Sequence, residues 1–575
     1  MSVTDRVIPA SLASWEKAAC LLLVAGTLLY YWTVFFGQAI DGGQGDDFVD
    51  ILWFFEIVFS REHWLDVLPV IALPNHEHIT IFNHLVYLLD YALFRQVNFF
   101  HYMLIGHVVI LGCCLLIAEW LKQYVGWWYA IAIAASFFLN LFYWHASFWA
   151  MTALSNQAVI LFALLSARSA AKYPQAIFAP MLWAVAATLC QFNGLLVLPA
   201  LAAGNFFAAK KSGNPVNLRQ VLVWLFSFVV LAAVYINAEN PLARDHLWHF
   251  VNYTEPDILS EYLEKSSSNP LEITANSLFG IPLTLFSMSG ATVFTLTQWL
   301  PASVLGGTLL FCLYRVNLIQ REQPDRFWWT VLCFAMASIA IVAAGRGISF
   351  GPEAGMAFRY RLYSFLLIVL LAGALLKRKQ TRAWLWSMLG AGALIQLCSA
   401  HVLDNIQQER DSVKKSHYYW LIDGGMGRST MPFYPHNQDR RLFNAYERGY
   451  YNPYAVIASR HKPVFVSAVK DGTCGLDDTL LESEAGAVKA CSKKSRALAV
   501  EITLDTLPSV NPVSLLFCGD AIGYRFALDA RNIDSDTGKY SPLLVLKKQL
   551  PPSQYRVLLQ QADSSYKLLG NIAFP

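Results

Sequence analysis

Apolar runs of about 20 residues recur through the first 400 residues of this chain, and they dictate what it can become. A helix rises about 1.5 Å per residue, so ~20 apolar residues span the ~30 Å hydrocarbon core of a bilayer while bonding their own backbone. Such runs lie near 17–38, 98–121, 127–144, 150–170, 174–190, 194–209, 219–238, 296–316, 327–344, 361–377 and 382–402. They predict an all-α polytopic membrane protein with about eleven crossings. Composition excludes a soluble chain: of 575 residues, 56% are hydrophobic and only 14% charged, against about 25% charged in soluble domains. The first run reads as a span and not as a removable signal, since no small-residue cleavage site follows it.

Net charge is +3, too small to imply nucleic acid, but its placement is informative. With the N-terminus inside, the inner loops and flanks carry Lys17, Lys122, Arg168, Lys172, Lys210, Lys211, Arg315, Arg321, Arg326, Lys377, Arg378 and Lys379. The longer outer loops carry fewer cations, which places the N-terminus in the cytoplasm and the chain's end outside. Residues 276–294 are apolar but broken by Gly280, Pro282 and Gly290. Counting them as a crossing would invert everything after them, so they read as re-entrant or as lying along the outer interface. The domain reading follows: 1–402 a transmembrane domain, with interfacial helices in the outer loops 39–97 and 239–295, and 403–575 a soluble domain. In the latter, the runs KPVFVSAV, ALAVEITL, PVSLLFC, SPLLVLKKQL and YRVLLQQA predict strands, giving a small α+β or mostly-β fold. Seven of the ten cysteines sit in apolar runs as small hydrophobes. Among Cys474, Cys491 and Cys518 one disulfide is expected in an oxidising space, Cys474–Cys491 closing the shortest loop.

Three constellations carry chemistry. Asp46 and Asp47, with Asp41 and Asp50 nearby, follow the first run. Adjacent carboxylates repel, which raises the pKa of one or draws a cation, so the pair suits a general base or a divalent ion such as Mg2+ or Mn2+. Capping of a helix beginning near Phe48 is the structural alternative. Arg346, Arg359 and Arg361 form a second set, in a stretch where Gly345, Gly347, Gly351 and Gly355 suit a wrapping loop. The guanidinium fork matches phosphate, whereas one arginine alone at a span entrance reads as snorkelling. His76, Glu77 and His78 form the third set, a polar contact to substrate or a weakly specified metal site.

Together these motifs resemble the GT-C superfamily of integral membrane glycosyltransferases, which use polyprenyl-phosphate-linked sugars. Asp46-Asp47-Phe48 is similar to that family's Asp-Asp-X acidic motif after the first span. Glu77-His78-Ile79 with LVYLLD ending at Asp90 is similar to a Glu-His-Arg signature of bacterial members, with Ile79 where the signature has arginine. Gly345-Arg346 through Arg359-Tyr360 is similar to their late outer-loop motif. The resemblance covers about 400 residues in layout, and the bacterial enzymes that glycosylate pilin or decorate O-antigen are nearest in general look. It implies a bacterial inner-membrane enzyme transferring a sugar to a periplasmic protein or glycan. Asp46 or Asp47 would be the base, Arg346, Arg359 and Arg361 would hold the donor phosphate, and His76, Glu77 and His78 would contact substrate. The scheme requires no cofactor. An O-antigen polymerase or ligase would use outer-loop arginines without needing the acidic pair. A flippase or other transporter would place its ionisable groups at mid-bilayer.

Overall fold

A computed structural model of the chain describes residues 13–75, 78–213, 215–237, 279–294, 298–319, 325–350, 355–378, 382–423, 441–442, 444–446 and 448–452, together with a set of C-terminal strands. It falls into two compact units, Met1–Ala39 with Gly43–Arg410, and Ile40–Gly42 with Asp411–Pro575. The helices of the first, in chain order, begin with α1 (Ser14–Gln38), then α2 (Phe54–Val58), α3 (Val67–Ile71), α4 (Ile81–Phe94), α5 (Phe99–Val125) and α6 (Trp127–Phe138). They continue with α7 (Ala150–Lys172), α8 (Phe178–Thr188), α9 (Val197–Ser212), α10 (Leu218–Asn237), α11 (Ile281–Gly290) and α12 (Trp299–Ile319). Then come α13 (Arg326–Phe350), α14 (Arg361–Arg378), α15 (Arg382–Ser399) and α16 (Leu403–Asp423), the last running on into the second unit.

Among the described residues nine helices are long and apolar enough to cross a membrane. The chain is a multi-pass, all-helical membrane protein. Two of the eleven expected runs give shorter helices, and each has an identifiable stop. In 127–144 the helix ends at Phe138, because the Asn140 amide donates to Phe137 O (2.8 Å) and accepts from Phe142 N (2.9 Å), trading helix for turn. In 174–190 the helix begins only at Phe178, with Pro180 in its first turn, and ends at Thr188. Their neighbours show what these short pieces do. Helices α5 and α7 run parallel, with Gly106 against Ala153, Gly112 against Leu161 and Glu119 paired to Arg168. Residues 126–149 must therefore return the length of α5, and α6 with the irregular stretch after it makes that return. Likewise Arg326 donates to Ala170 O, Pro174 O and Asn205 Oδ1, drawing the ends of α7 and α9 together, so the segment holding α8 runs back between them.

The 276–294 stretch holds α11, ten residues or about 15 Å, half the length a crossing needs. It packs on α12 through glycines. A methyl group on Gly290 would overlap Ala302 O, and one on Gly306 would overlap Phe286 O. Small residues here bring two backbones into contact. Gly306→Ala should force the pair apart and cost ~1–3 kcal/mol or more, read as a lower thermal midpoint in detergent; an unchanged midpoint would contradict the packing. Of the 239–295 expectation, residues 239–278 lie outside the described residues.

In the second unit the strands are antiparallel throughout. Beside the short β1 (Pro74–Asn75) and β2 (His78–Ile79) hairpin of the first unit, they are β3 (Ser467–Val469), β4 (Gly486–Lys493), β5 (Ala497–Leu504), β6 (Val513–Cys518), β7 (Gly523–Leu528), β8 (Lys539–Leu546), β9 (Ser553–Gln560) and β10 (Tyr566–Phe574). They pair in the orders β10-β9-β6-β7-β3 and β4-β5-β8. All five expected runs contain strands. The three unexpected ones lack a clear apolar run: β4 is mostly small residues interrupted by Lys489 and Lys493, β7 is broken by Arg525, and β10 contains Gly570 at a bulge. Within the same unit Tyr451 donates to Asp41 O (3.0 Å) and lies 3.3 Å from His417 Nε2. Tyr450 and Tyr451 are buried, so these two members of the aromatic stretch 443–454 serve the protein interior. The expected Cys474–Cys491 bridge lies outside the described residues.

Candidate active site at one end of the bundle

The acid pair sits in a tight turn made by glycine. Gly45 has φ +54°, a left-handed conformation that a side chain would strain. The turn is closed by Asp47 N donating to Gln44 O (3.0 Å). It carries the Asp47 carboxylate back onto Gln44 N (3.1 Å to Oδ2). The other oxygen accepts from Met151 N (2.8 Å), in the first turn of α7 and 104 residues further along. Asp47 is thus a cap, but of a distant helix: the helical stretch from Phe48 has no side-chain cap of its own. Gln44 adds a second tether, its side-chain amide donating to Phe148 O (3.2 Å).

The two acids differ in environment. Asp47 is fully buried, while Asp46 is partly exposed. Burial holds the Asp47 carboxyl well above the usual carboxylate range, partly offset by its two amide bonds; repulsion from Asp50 and Asp46 contributes less. Repulsion within the pair is therefore not the main cause of the shift. Asp50, fully buried three residues on, goes the other way. Burial alone would raise it, but His84, Tyr87 and Thr80 together hold it below the usual range. Tyr87 OH donates to Asp50 at 2.6 Å and Thr80 Oγ1 at 3.1 Å, and His84 Nε2 lies 3.7 Å from the carboxylate. His84 in turn donates Nδ1–H to Ile71 O (2.8 Å) and stacks on Phe54 with ring centres 4.2 Å apart. This network ties residues 48–58 to α4, and so fixes the platform on which the acid pair stands.

A pH dependence follows from Asp47. Its folded pKa lies above the ~3.9 of an unfolded aspartate. Its stabilising contribution is therefore full below about pH 4 and lost as pH rises through the folded value. Asp50, shifted the other way, contributes above about pH 4 and loses that contribution only as pH falls through its own lowered value. As pH rises above about 4, the wild-type thermal midpoint should therefore lose ground relative to that of Asp47→Asn. Parallel slopes would contradict the assignment.

Across from the acid turn, residues 144–149 form a second turn held by α7. Gln157, fully buried, donates through Nε2 to Ala146 O (3.1 Å) and Ser147 Oγ (3.0 Å). Thr152 Oγ1 reaches His145 O (3.1 Å) and Trp149 O (3.0 Å). The late arginines meet this turn. The Arg359 guanidinium lies 5.9 Å from the Trp149 ring centre and 5.1 Å from that of Tyr360. The Trp144 ring packs on Phe358 at 5.3 Å, and the Arg361 guanidinium lies 4.1 Å from the centre of the same Phe358. Burial first, and the Arg359 charge second, push the His145 imidazole down to about 3, so it is neutral at physiological pH.

Arg361 stands apart from its neighbours. It is fully buried and donates through Nη2 to Phe294 O. Its Nε and Nη1 find no hydrogen-bond partner among the described residues. A buried guanidinium with unused donors is costly, and an oxyanion would supply what it lacks.

Of the residues singled out from sequence, the structure therefore brings Asp46, Asp47, Arg359 and Arg361 around one pair of turns. Arg346 belongs to α13, which runs through Phe350, so Gly345 and Gly347 are helical and not part of a wrapping loop; the Arg346 side chain lies outside the described residues. Gly355 serves close packing instead, facing Ser287 Oγ and Thr284 O. His76 and Glu77 lie outside the described residues, and of His78 only the β2 backbone is described. His145, Trp149 and Gln157 were not anticipated; the dense aromatic run YWHASFW was their only trace in the sequence. Among the described residues no three metal-ligating side chains come together. Each Asp47 oxygen accepts from one backbone amide, Gln44 N and Met151 N. No family model matches the chain, no curated protein matches it, and no solved structure matches it.

Proposed function

We propose that this protein is a glycosyltransferase that moves a sugar from a polyprenyl-phosphate carrier to an acceptor hydroxyl at the non-cytoplasmic face of a bacterial inner membrane. In this reading the bundle crosses eleven times, α6 and α8 completing two crossings with irregular backbone. The C-terminal strands are then periplasmic. The observation that carries the proposal is that the turn bearing the partly exposed Asp46 is fastened, through Gln44 to Phe148 O and Asp47 to Met151 N, to the aromatic turn that Arg359 adjoins. The buried, incompletely partnered Arg361 lies on the neighbouring Phe358. The resemblance to the GT-C enzymes supports the same assignment.

The chemistry divides among these residues. Asp46 accepts the proton of the acceptor hydroxyl as its oxygen attacks the anomeric carbon. The bond from that carbon to the phosphate oxygen breaks, and the electron pair leaves with polyprenyl phosphate. Arg361, with Arg359 beside it, offsets the charge that develops on the phosphate in a place largely closed to water. One displacement inverts the anomeric centre. Asp47 does not touch substrate: it positions Asp46 by fastening the turn to α7. The acceptor is a surface glycan or a protein such as a pilin.

The test is mass spectrometry of surface glycans, glycoproteins and lipid-linked sugars from a deletion strain complemented with wild type or Asp46→Asn. The expected result is loss of one sugar from one acceptor class in the variant, with its lipid-linked donor accumulating. An unchanged surface and lipid pool, with the variant present in the membrane at wild-type level, would contradict it.

A further inference from the structure

We infer that the turn Trp144–Trp149 reads the sugar of the lipid-linked donor, while the arginines hold its phosphate; this rests on the glycosyltransferase reading. The starting point is an imbalance in how the turn uses its polar groups. Its backbone is bonded to the protein through Gln157, Thr152 and Gln44. Its aromatic nitrogens are not. Trp144 and Trp149 are 6% and 4% exposed, and neither indole N–H has a partner among the described residues. His145 lies between them, with ring centres 5.1 Å from Trp144 and 4.9 Å from Trp149. No hydrogen bond to its imidazole is found among the described residues either.

Buried polar groups are nearly always satisfied, because each one left over keeps the full cost of its lost hydration. Two buried in one short turn, Trp144 and Trp149, with the partly exposed His145 imidazole between them, indicate a ligand that supplies the missing partners. The chemistry of the groups says which part of the donor it is. Indole is a neutral donor, and a neutral imidazole offers one donor and one acceptor. That set matches ring hydroxyls, which both donate and accept, and the aromatic faces suit the C–H face of a pyranose. A phosphate is bonded far more strongly by guanidinium, and that of Arg359 stands beside the turn while that of Arg361 lies against Phe358, which packs on Trp144. The sugar then lies over 144–149 with its anomeric carbon between the phosphate and Asp46. Specificity follows as well. A site built to bond a hydroxyl discriminates against sugars that lack it or carry it in the other configuration, because its donors are then left unpaired.

The test uses the full chain in nanodiscs, with native mass spectrometry of bound lipid. The probes are undecaprenyl phosphate alone and undecaprenyl phosphate carrying glucose, galactose, mannose, N-acetylglucosamine or 4-amino-4-deoxyarabinose. Trp144→Phe and Trp149→Phe keep an aromatic face but remove the N–H together with the five-membered half of the indole. The space left should lower each thermal midpoint somewhat, so binding is compared below the lower midpoint, where both proteins are folded. Wild type should prefer one glycolipid over bare carrier. Each variant should narrow that preference by about tenfold, the worth of one hydrogen bond, with affinity for bare carrier unchanged. Variants that keep the wild-type preference would overturn the inference. So would a wild type that binds bare carrier and every glycolipid alike, which leaves the carrier reading intact. Binding of no probe, bare carrier included, would overturn the carrier reading and this inference with it.

Discussion

Asp46→Asn should lower transfer by about 10²–10⁴-fold, the usual contribution of a positioned general base, and leave the thermal midpoint unchanged. Asp47→Ala should do something different. It removes the acceptor for two buried amides, Gln44 N and Met151 N. At ~1–3 kcal/mol for each orphaned group, the protein should lose ~2–6 kcal/mol of stability, with activity falling because the turn no longer sits on α7. The contrast separates the adjacent acids by role: one touches the reaction, the other holds the first in place. The measurement is a pair of midpoints and a pair of rates on purified protein. A stable, inactive Asp47→Ala together with an active Asp46→Asn would reverse the assignment.

Arg361→Met should stabilise the protein and abolish donor binding at once. In the free protein Arg361 is fully buried, with only Nη2 bonded, to Phe294 O, and two further donors unpartnered among the described residues. Replacing a buried, poorly compensated charge by an apolar side chain of similar volume is typically worth 1–4 kcal/mol in favour of the variant. A residue kept there for structure should show the opposite sign. The variant should therefore melt higher than wild type while failing to bind undecaprenyl phosphate by native mass spectrometry. A lower midpoint with binding retained would make Arg361 a structural cation, tethering the segment after α11, and would remove it from the site.

How much of this was legible beforehand depends on how local each cause is. Nine of the long apolar runs became helices because length and hydropathy are properties of the segment itself. The shortened α6 and α8 depended on single residues, Asn140 bonding its own backbone and Pro180 near a helix start, which a hydropathy average does not register. The glycines around Arg346 suggested a loop, yet α13 runs through Gly345 and Gly347; a glycine costs a helix only ~1 kcal/mol and does not by itself end one. The acid pair was visible as a motif, but the division of labour within it was not. Asp47 finds Met151 only after the chain has folded across 104 residues. The same holds for Gln157, an unremarkable polar residue in an apolar helix until its amide is seen to hold the 144–149 turn. Legibility therefore ended where the site is assembled from residues distant in sequence.

The most direct test is release of the carrier. Purified full-length protein in nanodiscs is mixed with lipid-linked sugars and periplasmic extract from its host, and free polyprenyl phosphate is followed by mass spectrometry. The expected result is a rise in free carrier matched by loss of one sugar-linked form with wild type, and none above background with Asp46→Asn. No release by wild type, or equal release by both proteins, would contradict a transfer reaction based on Asp46.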